Sequence, residues 1–170
     1  MTKLVFIGGS MGVGKSTVTQ LLCSDCERSV LLDGDWCWFQ GDKEWDFSDK
    51  TKQMALNNII YLLNSFLKND AFDTVFFCWV LHDAVLEASI LNQLEAPFDF
   101  YHFSLICRPE VLKKRIFNRS GLTQCQKEAQ WKRAQERLSR YQDLKTSLLD
   151  TSDLTAADVC QKIKEHVYAG

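Results

Sequence analysis

At 170 residues and 46% hydrophobic content, the chain has the size of one domain and enough apolar material for a sizeable core. Its 20 basic and 22 acidic residues leave a net charge of −2, so there is no general attraction to nucleic acid or to an anionic membrane, and any basic patch must be local. No run of about 18 apolar residues occurs, and Met1-Thr2-Lys3 leads straight into a strand pattern rather than a signal peptide; a cytoplasmic protein with neither nucleic-acid nor membrane partners is expected.

The first element is the apolar run Leu4-Val5-Phe6-Ile7, a strand, followed by a loop from Gly9 through Met11, Gly12, Val13 and Gly14 to Lys15, Ser16 and Thr17. Gly9, Gly14, Lys15 and Ser16 satisfy G-x-x-x-x-G-K-[ST], and Val18, Leu21 and Leu22 continue at helical spacing, which is the strand–loop–helix context that pattern needs. Glycines let the backbone curl into a nest whose N–H groups point at one anion, and the positive end of the following helix adds to that field. Lys15 is therefore expected to reach nucleotide phosphates and Ser16 to ligate magnesium. Cys23 and Cys26 form a C-x-x-C at the end of this helix, without a second pair at zinc spacing. The other five of the seven cysteines are scattered, so free thiols are expected.

Strand and helix patterns then alternate, the signature of parallel strands joined by crossover helices. Ser29-Val30-Leu31-Leu32 is a short second strand that stops at Asp33-Gly34-Asp35. An aromatic-rich loop follows with Trp36, Trp38, Phe39, Trp45 and Phe47, after which Ser48 is a good N-cap for a long helix ended by Asn69-Asp70. The run from Asp73 to Val80 is too continuously apolar to have a wet face and reads as a central third strand. His82 and Asp83 open another helix, and the run from Phe100 to Cys107 is a fourth strand. Pro109 begins a basic helix containing Lys113, Lys114, Arg115 and Arg119, with its end expected at Gly121. Thr123 and Gln126 have capping-box spacing at the start of a polar helix that carries Arg133, Arg137 and Arg140 on one face. Thr146 to Leu149 is a weak fifth strand, and Thr155 with Asp158 caps a last helix.

In order along the chain, these pieces resemble the small P-loop kinases, the group of shikimate, gluconate, adenylylsulfate and nucleoside monophosphate kinases and chloramphenicol phosphotransferase. The likeness rests on the phosphate loop, on Leu32-Asp33-Gly34-Asp35, on Cys107-Arg108-Pro109-Glu110 leading to Arg115 and Arg119, and on Leu149-Asp150-Thr151-Ser152. It implies a three-layer α/β fold, with a five-stranded parallel sheet in the order 2-3-1-4-5 between helices and a helical lid at about 115–140. It also implies transfer of the γ-phosphoryl group of ATP, with Mg2+, to a small-molecule acceptor; a monomer or homodimer is expected. In that family the arginine matching Arg115 lies near the adenine, and lid arginines such as Arg119 close over the phosphates.

Phosphoryl transfer relies on positioning and charge neutralisation, so Lys15, Arg119 and Arg133 are the expected catalytic cations. Asp35 is expected to accept the acceptor's proton and Asp33 to support the metal, with the reverse allocation left open. Both carboxylates are expected to face the phosphate loop from an extended strand end. Many P-loop enzymes place a magnesium-associated Asp at the end of the third strand, where this chain has Cys78-Trp79-Val80. Trp36, Trp79, His82 and Arg137 are candidates for the acceptor site, with core packing an equal alternative for the aromatics, and Arg140 is expected in a surface salt bridge. Nucleosides or nucleotides are the first acceptors to consider, ahead of sugars, antibiotics and other hydroxylated metabolites; a regulatory nucleotide-binding module without an acceptor is the remaining alternative.

Overall fold

The computed structural model describes residues 1–38 and 46–169. Phe39 and Trp45 of the aromatic loop lie outside the described residues. Five strands, β1 (Thr2–Gly9), β2 (Ser29–Asp33), β3 (Thr74–Cys78), β4 (Phe98–Ile106) and β5 (Ser147–Asp150), form one sheet in the order β2-β3-β1-β4-β5. Every pairing is parallel, with Ile7 opposite Cys78 and Phe103, and Asp33 opposite Cys78. Parallel strands need long crossovers, and the helices supply them: α1 (Lys15–Asp25), α2 (Asp49–Leu67), α3 (Ala84–Leu91), α4 (Pro109–Phe117), α5 (Gln124–Arg137) and α6 (Ala156–Tyr168).

Helices cover both sheet faces, which explains why β1 and β3 are apolar at successive rather than alternate positions. Val5, Ile7, Phe103 and Leu105 pack with residues of α1, α4 and α6, while Leu4, Phe6, Val75 and Phe77 pack with residues of α2 and α3. Ser48 caps α2 by accepting the Thr51 N–H, and Thr123–Gln126 and Thr155–Asp158 form complete capping boxes on α5 and α6.

Three local expectations are corrected. β3 stops at Cys78, and the chain then tightens, Leu81 N–H bonding to the Trp79 carbonyl and His82 N–H to that of Val80, so Trp79 and Val80 lie beyond the strand. Helix α4 stops at Phe117, where the Asn118 N–H completes its last turn on the Lys114 carbonyl; Arg119 and Gly121 belong to the link before α5. The residues after Asp33 are not extended: Gly34–Trp38 is a 3-10 turn, so Asp33 and Asp35 do not share a side by strand alternation.

Candidate active site

The C-terminal edge of β1 delivers the chain into the loop that precedes α1. Gly12 has φ 87 and Gly14 φ 111, both in the left-handed region that suits glycine, and a Cβ on Gly12 would stand 2.6 Å from Ile116 Cγ1 of α4. Gly14 is the N-cap of α1 and supplies no side chain, so the first-turn N–H groups are left for an external acceptor. No acidic residue occupies that turn. Lys15 arches back over the loop, its Nζ donating to the Ser10 carbonyl at 3.1 Å. Burial pulls the Lys15 ammonium down to about 8, with Asp35 and Asp33 working against that shift and the Arg119 charge adding to it. A partly buried ammonium beside an anion nest is a cation held ready for a polyanion.

Asp33, the last residue of β2, closes the site from the neighbouring strands. Its Oδ2 accepts the Ser16 hydroxyl at 3.0 Å, and its Oδ1 accepts the Asp35 backbone N–H at 3.0 Å. That second bond brings Asp35 to the site in place of the strand alternation expected. A magnesium ion bound with a nucleotide keeps waters and phosphate oxygens and asks the protein for only one or two hard oxygen donors. The Ser16–Asp33 pair fits that requirement. Cys78, paired with Asp33 across the sheet, does not: burial pushes its thiol up to about 12, so it is neutral in the ordinary pH range. Where many P-loop enzymes carry a carboxylate on the third strand this chain has Cys78, and the carboxylate bonded to Ser16 is Asp33 on the adjacent strand.

Arg115 links three segments. Its Nη1 donates to the Val13 carbonyl at 3.1 Å and to Thr151 Oγ1 at 2.9 Å, and its Nη2 to the Thr151 carbonyl at 2.7 Å, tying the phosphate loop, α4 and the turn after β5 together. Arg108 forks onto the Asp153 carboxylate at 2.7 Å through each Nη, and its N–H bonds to Ser152 Oγ, so Cys107-Arg108-Pro109-Glu110 and Leu149-Asp150-Thr151-Ser152 form one side of the site. The sequence did not signal the role of Thr151 as an anchor; only its place in the second of those segments points to it.

In the link after α4, Arg119 makes one long contact among the described residues, 3.4 Å to Gln130 Oε1. Among the described residues, Arg133, Arg137 and Arg140 form no ion pair or hydrogen bond, and the expected surface salt bridge of Arg140 is absent. Arg137 and Arg140 lie near enough to His82 that, after burial, their charges help pull the imidazole below its usual value. Lys127 donates to the Phe117 carbonyl at the end of α4, and Lys113 stands over the Phe117 and Trp131 rings, so α5 is fastened to α4.

The aromatics divide between the two readings. Trp36 is 58% exposed and Phe47 51%, so neither is core. Trp38 meets Phe47 and Trp79 edge to face, with centroids 5.3 and 6.4 Å apart. The Trp79 indole N–H donates to Asp35 Oδ1 at 3.1 Å. Among the described residues no group of three or more His, Cys, Asp or Glu is arranged to hold a metal, and all seven cysteines are free, Cys125 being the exposed one.

Residues 5–137 match the AAA domain family. This chain belongs to that family. No curated protein sequence matches this AAA domain, but solved structures do. A gluconokinase from Sinorhizobium meliloti superposes with TM-score 0.70 at 17% identity over 98% of this chain and 96% of its own. A shikimate kinase from Bacteroides thetaiotaomicron gives 0.66 at 13% identity over 98% of each chain, and a Deinococcus radiodurans tunicamycin resistance protein gives 0.69 at 18% over 98% and 96%. At these identities the likeness shows the fold, and that fold is the one the small P-loop kinases share. No helix of the AAA domain, among its described residues, is long and apolar enough to cross a membrane.

Proposed function

We propose that this protein is an ATP- and magnesium-dependent phosphotransferase that phosphorylates a small hydroxyl or phosphate acceptor, with nucleosides or nucleotides first among them. The observation that carries the reading is the convergence on one sheet edge of a nest capped only by Gly14, a partly buried Lys15 and the Ser16–Asp33 oxygen pair. ATP with magnesium supplies the transferable phosphoryl group and a divalent charge held through Ser16 and Asp33. Lys15 and Arg119 neutralise charge that builds on the transferring group, and Arg133 joins them as the lid segment at about 115–140 closes. Asp35 takes the proton of the acceptor hydroxyl as that oxygen forms its bond to phosphorus, while the electrons of the broken phosphorus–oxygen bond leave with ADP. Trp36, His82 and Arg137 face the acceptor, and Arg115 holds the nucleotide side in register.

A second reading, a sugar, antibiotic or other hydroxylated acceptor, is favoured by the names of the neighbours, a gluconokinase and a tunicamycin resistance protein. One screen separates them: nucleosides, nucleotides, sugars and antibiotics tested by thermal shift with a non-hydrolysable ATP analogue and magnesium, then by product formation with ATP. A nucleoside or nucleotide that both stabilises the complex and becomes phosphorylated supports the first reading. Stabilisation by nucleotide alone, with no acceptor consumed, would leave a regulatory nucleotide-binding module.

A further inference from the structure

Trp79 lies just beyond β3, at the point where the site must hold its second carboxylate steady. Its Nε1–H reaches Asp35 Oδ1 at 3.1 Å, bridging residues 44 apart in sequence. The indole has little freedom to leave that position. A Cβ built on Gly34 would stand 2.5 Å from its Cγ, 2.7 Å from Cδ1 and 2.8 Å from Cδ2, so one side of the ring presses on the Gly34 backbone. Trp38 meets it at 87° and Phe77 at 53°, with centroids 6.4 and 6.5 Å away. The carboxylate is held from its own backbone as well, through the Asp35 N–H on Asp33 Oδ1, and Asp33 in turn accepts the Ser16 hydroxyl. A continuous hydrogen-bonded chain therefore runs from Trp79 through Asp35 and Asp33 to the phosphate loop.

An indole N–H donates and accepts nothing, so it can fix a carboxylate without competing for a proton. With Oδ1 engaged, Oδ2 is the oxygen presented to an incoming hydroxyl. We infer that Trp79 is a positioning residue for Asp35, and that residue 34 is glycine because the indole needs the space a side chain would take. This rests on the reading of Asp35 as the proton acceptor, and it gives Trp79 a task other than stacking on the acceptor, since its ring already lies against Gly34.

The test has one arm that needs no turnover. In 15N-labelled protein, the Trp79 indole resonance, assigned by its loss in Trp79→Phe, should move upfield in Asp35→Ala as the charge-assisted bond is lost. An unchanged resonance overturns the inference. The second arm is kinetic, with whichever acceptor the protein phosphorylates. Trp79→Phe keeps a ring on Gly34 but removes the donor; it should lower kcat about tenfold with KM for ATP unchanged, and cost almost nothing further in an Asp35→Asn background. Equal losses in both backgrounds would make Trp79 a packing residue and sink the inference. If the wild type phosphorylates no acceptor, the kinase reading fails on its own, and the indole resonance still decides whether Trp79 holds Asp35; it decides equally if Trp79→Phe does not fold, with Gly34→Ala, which displaces the indole, assigning the resonance instead.

Discussion

Lys15 is the residue on which the phosphate loop converges, and its environment makes two measurable demands. Lys15→Ala should abolish phosphotransfer while leaving the fold intact, with a melting temperature at neutral pH no lower than that of the wild type, because it deletes a cation aimed at developing phosphoryl charge whose burial costs stability. A variant that keeps most of its turnover would contradict the proposed function. The second demand concerns protons. With burial holding the ammonium near 8 in the free protein, against an ordinary 10.5, the unfolded chain binds more protons than the folded one between those values. Stability of the ligand-free protein should therefore rise with pH across that window, whereas below pH 8 the burial penalty on the charged form is present in full. A bound polyphosphate favours the ammonium and raises its pKa again. Nucleotide affinity should accordingly fall as pH climbs through 8, and calorimetry in two buffers of different ionisation enthalpy at pH 8.5 to 9 should show proton uptake that is missing in Lys15→Ala. Asp35→Asn keeps the size and removes the base, and should cut turnover by about 10²-fold or more with ATP binding nearly unchanged. Loss on Asp33→Asn instead, with Asp35→Asn active, would reverse the two roles.

Two elements hold the site in shape, and they differ in firmness. Helix α4 is firm: Ile116 presses on Gly12 and Arg115 grips the Val13 carbonyl. Gly12→Ala puts a Cβ both at φ 87 and 2.6 Å from Ile116 Cγ1, so it should destabilise by roughly 1–3 kcal/mol, seen as a lower denaturant midpoint at unchanged slope. Helix α5 is looser, with Ala134 as its buried residue and a row of arginines that find no partners in the described chain. Its amides should exchange quickly in the free protein and slow when an ATP analogue and magnesium are added; protection already high and indifferent to nucleotide would make the arginines structural. The same contrast explains what could be read in advance. The phosphate loop is specified by neighbours in sequence, as are the Thr123–Gln126 and Thr155–Asp158 boxes, so each was legible from spacing alone. Asp35 was named from the sequence, but its local geometry was not legible: an extended strand end was expected, whereas Gly34–Trp38 is a 3-10 turn in which the Asp33 side chain accepts the Asp35 N–H. The placing of Asp33 beside Cys78, the bond from Trp79 to Asp35 and the anchoring of Arg115 on Thr151 all join distant segments, and only the fold brings them together.

For the whole molecule, the proposed nucleotide and acceptor sites, sharing one sheet edge, should make stability follow ligand concentration. At a hundred times its Kd, a nucleotide that binds only the folded state adds about 2.7 kcal/mol, and a true acceptor should add a further increment when the nucleotide is present. An acceptor that stabilises equally with and without nucleotide would not share the site. The sheet order also has a consequence for synthesis on the ribosome. The strand at the centre, β1, is the first to be made, yet its partners are residues 74–78 on one side and 98–105 on the other. At about 5–20 residues per second, its apolar run waits several seconds for a first neighbour and longer for the second. Leu4, Val5, Phe6 and Ile7, all fully buried in the finished protein, are thus exposed on the nascent chain until residues 74–78 and then 98–105 have emerged, which marks this short stretch as one that a chaperone at the exit tunnel has to shield.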